Sequence, residues 1–179
     1  MKWLQTKLGQ LGASGQASIK IGPFGSQLKK SELTRSGIHV LGIENLLSHN
    51  FDGVGERYIS EAKFESMRSF EVKPGDILIS MMGTIGEVAI VPNGISTSIM
   101  DSHLLRFRPN YAVTSAEYIF WLIKGSTNLK AAIHGSAHGA IMKGLNSSII
   151  RALPAPLPPL SEQRQIVKVL NQQQFPQVV

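Results

Sequence analysis

The chain has no cysteine among its 179 residues. This excludes a disulfide framework, a thiolate metal site and a cysteine nucleophile, and accords with a reducing cytoplasm. Long apolar runs are also missing. No window approaches the roughly 18 uninterrupted apolar residues of a membrane helix, and the opening MKWLQTKLGQL lacks the apolar core of a signal peptide. The sequence therefore reads as soluble and cytoplasmic, with no membrane partner. Acidic residues are outnumbered: 12 Asp and Glu stand against 18 Lys and Arg, for a formal charge of +6. Such a surplus favours polyanionic partners, because Lys and Arg gain affinity by releasing counterions condensed on phosphates. Catalytic signatures are absent as well. There is no repeat of solenoid length, no G-x-S-x-G elbow, no Walker loop, no dinucleotide fingerprint and no adenine-methyltransferase motif of Asp or Asn, two prolines and an aromatic. Nothing in the sequence calls for a cofactor.

What is present is enough apolar material, 42%, to build a core. Short β-rich runs occur at 38–43 (IHVLGI), 76–82 (DILISMM), 87–91 (EVAIV) and 104–107 (LLRF), each closed by Gly, Pro, Asn or Asp. Helical patterns fall at 60–67, 115–124 and about 128–134, with a further short helix within 142–150. The expected class is α+β: a twisted mixed, partly antiparallel sheet with flanking short helices. Prolines at 154, 156, 158 and 159 mark the exit from the globule. Ser161 suits an N-cap, and a helix follows. Ile166, Val167, Val169 and Leu170 form its apolar side, and Gln163, Arg164, Lys168 and Gln172 its wet side.

Two segments could contact a ligand. In the loop IGPFGSQLKKSELTRSG, 21–37, glycines permit tight turns around Ser26, Lys29, Lys30 and Arg35, residue types that suit phosphates and base edges. In HGSAHG, His134 and His138 are separated by a helix-breaking Gly-Ser and have no third ligand nearby, so they read as loop histidines rather than a metal site. His138 with Lys143 could instead meet a base or phosphate. Gly83 and Gly86 read as turn positions between strands.

The ordered segments GPFGSQLKK, GIHVLGIEN, VKPGDILISMMGTIGEVAIV, LLRFRP and LPAPLPPLSEQRQIV, preceded by Trp3 with Leu8-Gly9, resemble a target recognition domain from the specificity (S) subunit of a Type I DNA restriction-modification system. The resemblance implies a non-catalytic reader of double-stranded DNA that takes one half of a split target. Residues 1–153 would be the recognition domain, and 154–179 the proline-rich exit and start of a conserved spacer helix. It implies assembly with a methyltransferase (M) subunit and, through it, a restriction (R) subunit. A second copy or second recognition domain would pair through the helix. Pro159, Leu160, Glu162 and Gln163 of the closing motif join Ile166, Val167, Val169 and Leu170 as the expected assembly residues, on a helix whose removal should leave the domain folded. The DNA-binding candidates are Ser26, Lys29, Lys30, Arg35, His138 and Lys143. The competing expectation is a regulatory module that binds the methyltransferase without reading DNA.

Overall fold

The structure, a computed structural model, describes residues 3–14, 18–52, 54–135 and 145–174. In chain order its elements are β1 (Leu4–Lys7), β2 (Ile19–Ile21), β3 (Ile38–Leu41), α1 (Ile43–Ser48), β4 (Tyr58–Ile59), α2 (Glu61–Met67), β5 (Glu71–Val72) and β6 (Ile77–Ser80). They continue with β7 (Val88–Ile90), β8 (Ser98–Met100), β9 (Leu104–Phe107), α3 (Ala116–Gly125), α4 (Thr127–Gly135), α5 (Ser147–Ala152), β10 (Pro154–Leu157) and α6 (Leu160–Gln174). The α+β class holds.

Among the described residues the strands form two four-stranded sheets and a ribbon rather than one sheet. One sheet, in the order β2-β9-β6-β7, is wholly antiparallel. The other, β4-β3-β8-β5, is mixed, because β3 and β8 run parallel. The first sheet is buried on both faces, which explains why ILIS and LLRF show no alternation of apolar and polar residues. Ile77, Ile79, Leu105 and Phe107 point into a core shared with Ile119 and Ile123 of α3 and Ile150 of α5. The alternate residues Leu78, Ala89 and Leu104 enter a second core with Val40, Ile99 and Met100 of the mixed sheet. The domain is thus layered as helices, antiparallel sheet and mixed sheet.

Local chemistry sets the element ends. The expected helices at 60 and 115 begin one residue later because Ser60 and Ser115 are the caps, their hydroxyls accepting from the Lys63 and Tyr118 backbone N–H groups at 3.2 Å each. Asn146 caps α5 in the same way. The run expected as a strand through Ile43 stops at Leu41. There Asn45, fully buried, accepts from the Gly42 N–H at 2.9 Å and donates to the carbonyls of Asn50 and Val54, so GIEN opens α1 and folds the loop behind it.

The prolines do not simply lead away from the globule. Pro154–Leu157 pairs antiparallel with β1, in a two-stranded ribbon whose outer edge tolerates residues without N–H groups. Nor is Ser161 the cap of α6: the Pro159 carbonyl accepts the first intrahelical bond, from the Gln163 N–H at 3.0 Å, which places Ser161 inside the helix.

Candidate nucleic-acid interface

The glycine-containing loop between β2 and β3 is anchored at its base. Gly22 donates its N–H to the Leu104 carbonyl at 2.9 Å and lies so close to Asp101 that an added Cβ would sit 1.7 Å from that residue's carbonyl oxygen. Only glycine fits there. Beyond it, Leu28 and Leu33 pack against the second core, while Ser26, Lys29, Lys30 and Arg35 are exposed. None of these three cations forms an ion pair among the described residues. The loop is shaped by Glu32, which accepts from the Lys29 backbone N–H at 2.7 Å and from Lys63 Nζ at 2.8 Å.

Those contacts, the Lys29 N–H first and Lys63 next, hold the Glu32 carboxyl below its ordinary range. A carboxyl lowered in the folded state stabilises above its unfolded pKa and loses that contribution as pH falls through the folded one. Acidification should therefore loosen the 30–33 turn before the cores melt. Amide protection across 29–33, taken relative to the intrinsic exchange rate at each pH, should fall below the carboxylate range in the wild type, and should already be low at neutral pH in Glu32→Gln.

Facing the loop is the turn between β8 and β9. Asp101, nearly buried, accepts from Arg57 Nη1 at 2.9 Å and from the His103 backbone N–H at 2.8 Å, and its Oδ2 lies 3.1 Å from His103 Nδ1. Arg57 also bonds Glu44 at 2.7 Å. Burial lowers the Arg57 guanidinium, but Asp101 and then Glu44 more than offset it, so its pKa is raised. Lys29, Lys30, Gly25, Ser102 and His103 line a cleft of about 550 Å³ between loop and turn. The sequence offered no hint of His103, because only the fold carries it across from Lys29.

Other cations are engaged within the chain, so the count of 18 Lys and Arg overstates those free to meet a ligand. Arg68 pairs with Glu65 at 2.6 Å and Arg151 donates to the Ile19 carbonyl at 3.2 Å. Asp76, 2% exposed, takes a bidentate pair from Arg108, both bonds 2.7 Å, and a third bond from the Lys73 N–H at 2.8 Å. The bond to Asp76 holds Arg108 above its usual pKa. Arg106, also 2% exposed, lies 3.9 Å from the same carboxylate and donates to the Glu71 and Ser69 carbonyls; burial first, then Arg108, lowers its pKa. The arginines of LLRFRP are thus structural. A lone Asp after Pro-Gly, with one Arg inside an otherwise apolar strand and another just past its end, was the available signal.

At the C-terminal end, Gln163 is not on a wet face but fully buried. Its Oε1 accepts from Thr114 Oγ1 and the Ser115 N–H, both at 3.2 Å, and its Nε2 donates to the Val113 and Pro158 carbonyls at 2.8 and 2.9 Å. Glu162 accepts from Trp3 Nε1 at 2.8 Å, and Asn171 from Trp121 Nε1 at 2.9 Å. Tyr118 donates to the Pro156 carbonyl at 2.7 Å, and burial pushes its pKa up to about 12. The first turn of α6 is therefore fastened to α3 and β10, contrary to the expectation of a helix that can be removed freely. Leu160, Ile166, Val167 and Leu170 are half-buried, Pro159 is exposed, and Val169 is 52% exposed. His138 and Lys143 lie outside the described residues. Gly83 and Gly86 are left-handed turn residues, as expected.

Among the described residues no group of three or more His, Asp or Glu could hold a metal, and no helix is long and apolar enough to cross a membrane. Two curated relatives align with most of this chain. One is a protein named as a candidate MjaX type I restriction enzyme specificity subunit of Methanocaldococcus jannaschii, 26% identical over 145 residues, 79% of this chain and 34% of its own. The other is the EcoBI type I restriction enzyme specificity subunit of Escherichia coli, 25% identical over 139 residues, 77% of this chain and 29% of its own. The chain thus spans about a third of the length of the curated relatives it matches. The fold matches the crystal structure of the HsdS subunit from Thermoanaerobacter tengcongensis at a TM-score of 0.65 and 18% identity, over 97% of this chain and 37% of that one. Residues 25–174 match the model of the Type I restriction modification DNA specificity domain, from the GSQLKK loop through the buried Asp76–Arg108 pair to the Gln163 anchor, and the chain belongs to that family.

Proposed function

We propose that this chain reads one half of a bipartite double-stranded DNA target, without catalysis of its own, as a recognition domain within a Type I restriction-modification assembly. The observation that carries this reading is the loop at 22–37. Ser26, Lys29, Lys30 and Arg35 are exposed there on a backbone anchored to the β8–β9 turn, beside a cleft edged by His103. Donors and cations on a fixed backbone suit the two tasks of such a domain, positioning on phosphates and reading base edges. His138 and Lys143 remain the further candidates for DNA contact on the chemistry of their side chains. Residues 1–153 carry recognition and 154–179 the link to assembly, with β10 and the first turn of α6 joining the two. The methyltransferase subunit would supply the chemistry and the cofactor, and the restriction subunit would join through it. The apolar residues of α6 past its first turn, Ile166, Val167, Val169 and Leu170, would face that subunit, a second copy or a second recognition domain.

Binding by the chain alone should be weak and steeply salt-dependent. With Z phosphates neutralised, log K should fall with log salt at about −0.9Z. Replacing Lys29, Lys30 and Arg35 together by Ala should make that slope shallower by up to about 3, while melting shifts little, since exposed substitutions usually change stability by about 0.5 kcal/mol or less. Titration of a labelled duplex, taken from a randomised selection, at several salt concentrations checks both. Affinity indifferent to salt, or methyltransferase binding with no DNA preference, would replace the reader with an interaction module.

A further inference from the structure

Resting on the DNA-reading role proposed above, we infer that Phe24 is an aromatic probe that stacks into the base column of the bound duplex while the lysines on either side hold its phosphates. At 67% exposure, Phe24 is the most exposed large apolar side chain among the described residues. A phenyl ring so placed loses favourable burial in the free chain and gains it only from a partner.

The ring is also held on a fixed mount. The Phe24 N–H donates to Gln27 Oε1 at 3.0 Å, and its carbonyl accepts from the Gln27 and Leu28 N–H groups at 2.8 and 3.4 Å. One residue back, buried Pro23 adjoins Gly22, which is pinned to Leu104 and Asp101. Binding would therefore spend little conformational entropy in ordering this segment.

The surroundings select the partner. On one side of the loop lies an open groove of about 710 Å³, edged by Lys20, Gln27, Phe70 and Arg151, with Lys20 Nζ 4.5 Å from the Phe70 ring centroid. On the other side is the cleft edged by Lys29, Lys30 and His103. The ring has Lys20 on one side and Lys29 and Lys30 on the other, and each hollow also offers apolar lining, Ile19, Ile21 and Phe70 in the first and Leu28, Leu33 and Val40 in the second. An exposed aromatic with lysines and apolar surface on both sides matches a polyanion that also offers flat apolar faces, which is a nucleic acid. Apolar wedges of this kind enter between base steps and bend the duplex, and stacking on a base is sequence-tolerant. Phe24 would thus set the position and deformation of the DNA, and the polar loop residues would read the bases.

The test compares wild type with Phe24→Ala and Phe24→Trp on a duplex selected from a randomised pool, with aminopurine placed at successive positions. Phe24→Ala should bind ~5- to 150-fold more weakly, with an unchanged salt slope because the phosphate contacts remain. Phe24→Trp should stay near wild type. Aminopurine should brighten at one step with wild type and Phe24→Trp, and at none with Phe24→Ala. Wild-type affinity in Phe24→Ala, or no bright step with the wild type, overturns the stacking role. Normal DNA binding with lost methyltransferase association would reassign Phe24 to a protein contact. If the wild type itself selects no sequence from the pool, the DNA-reading role falls first, which separates the two failures.

Discussion

Asp76→Ala should lower the stability of the domain by about 3–5 kcal/mol, the range for removing one partner of a buried ion pair. The carboxylate is 2% exposed and receives both the Arg108 fork and the Lys73 N–H, with Arg106 Nε 3.9 Å away. Taking it away deprives the buried Arg106 and the half-buried Arg108 of the Asp76 carboxylate, and frees the turn that starts β6. For a domain of this size, each kcal/mol corresponds to about 2–4 °C in melting temperature, so a drop of roughly 6–20 °C is expected. Asp76→Ala combined with Arg108→Met should recover part of the loss, because it removes one of the stranded charges. Thermal and urea unfolding followed by circular dichroism decide it. A change under about 1 kcal/mol in Asp76→Ala would mean that the LLRFRP arginines are not held by this carboxylate.

A loss of about 3 kcal/mol is expected for Gln163→Ala, seen as a melting shift of roughly 6–12 °C. The side-chain amide, itself fully buried, satisfies Thr114 Oγ1, the Ser115 N–H and the carbonyls of Val113 and Pro158. Each buried group left without a partner costs about 1–3 kcal/mol. Gln163→Glu should fail too, since a carboxylate can still accept but has no N–H for the two carbonyls. Ending the chain at Pro159 removes the same anchor and should destabilise at least as much. Val169→Asp sits on the exposed side of the same helix and should leave melting unchanged while weakening association with the methyltransferase. If Val169→Asp instead unfolds the domain and Gln163→Ala does not, the two faces of α6 have been assigned the wrong way round.

The amino-acid sequence was sufficient for the class, for strands β3, β6, β7 and β9 and for the capped helices, because each rests on signals a few residues apart. Two-sided burial turns Ile77–Ser80 and Leu104–Phe107 into continuous apolar runs, and Ser60 and Ser115 cap the helices they precede. The same locality made the loop at 22–37 legible, since its glycines and cations are consecutive. Shorter strands carried no readable period: Tyr58–Ile59 and Glu71–Val72 are strands only because β3 and β8 lie beside them. Gln163 was misread for a related reason. Amphipathic periodicity assigns a glutamine to the wet face, but burial is decided by what packs against the helix, and α3 brings Thr114 and Ser115 to meet that amide. Tertiary structure alone joined Asp76 to Arg108, Asp101 to Arg57 and the early loop to His103. These pairs stand 32, 44 and more residues apart, and their partners are chosen by a common desolvated space that no window of sequence contains.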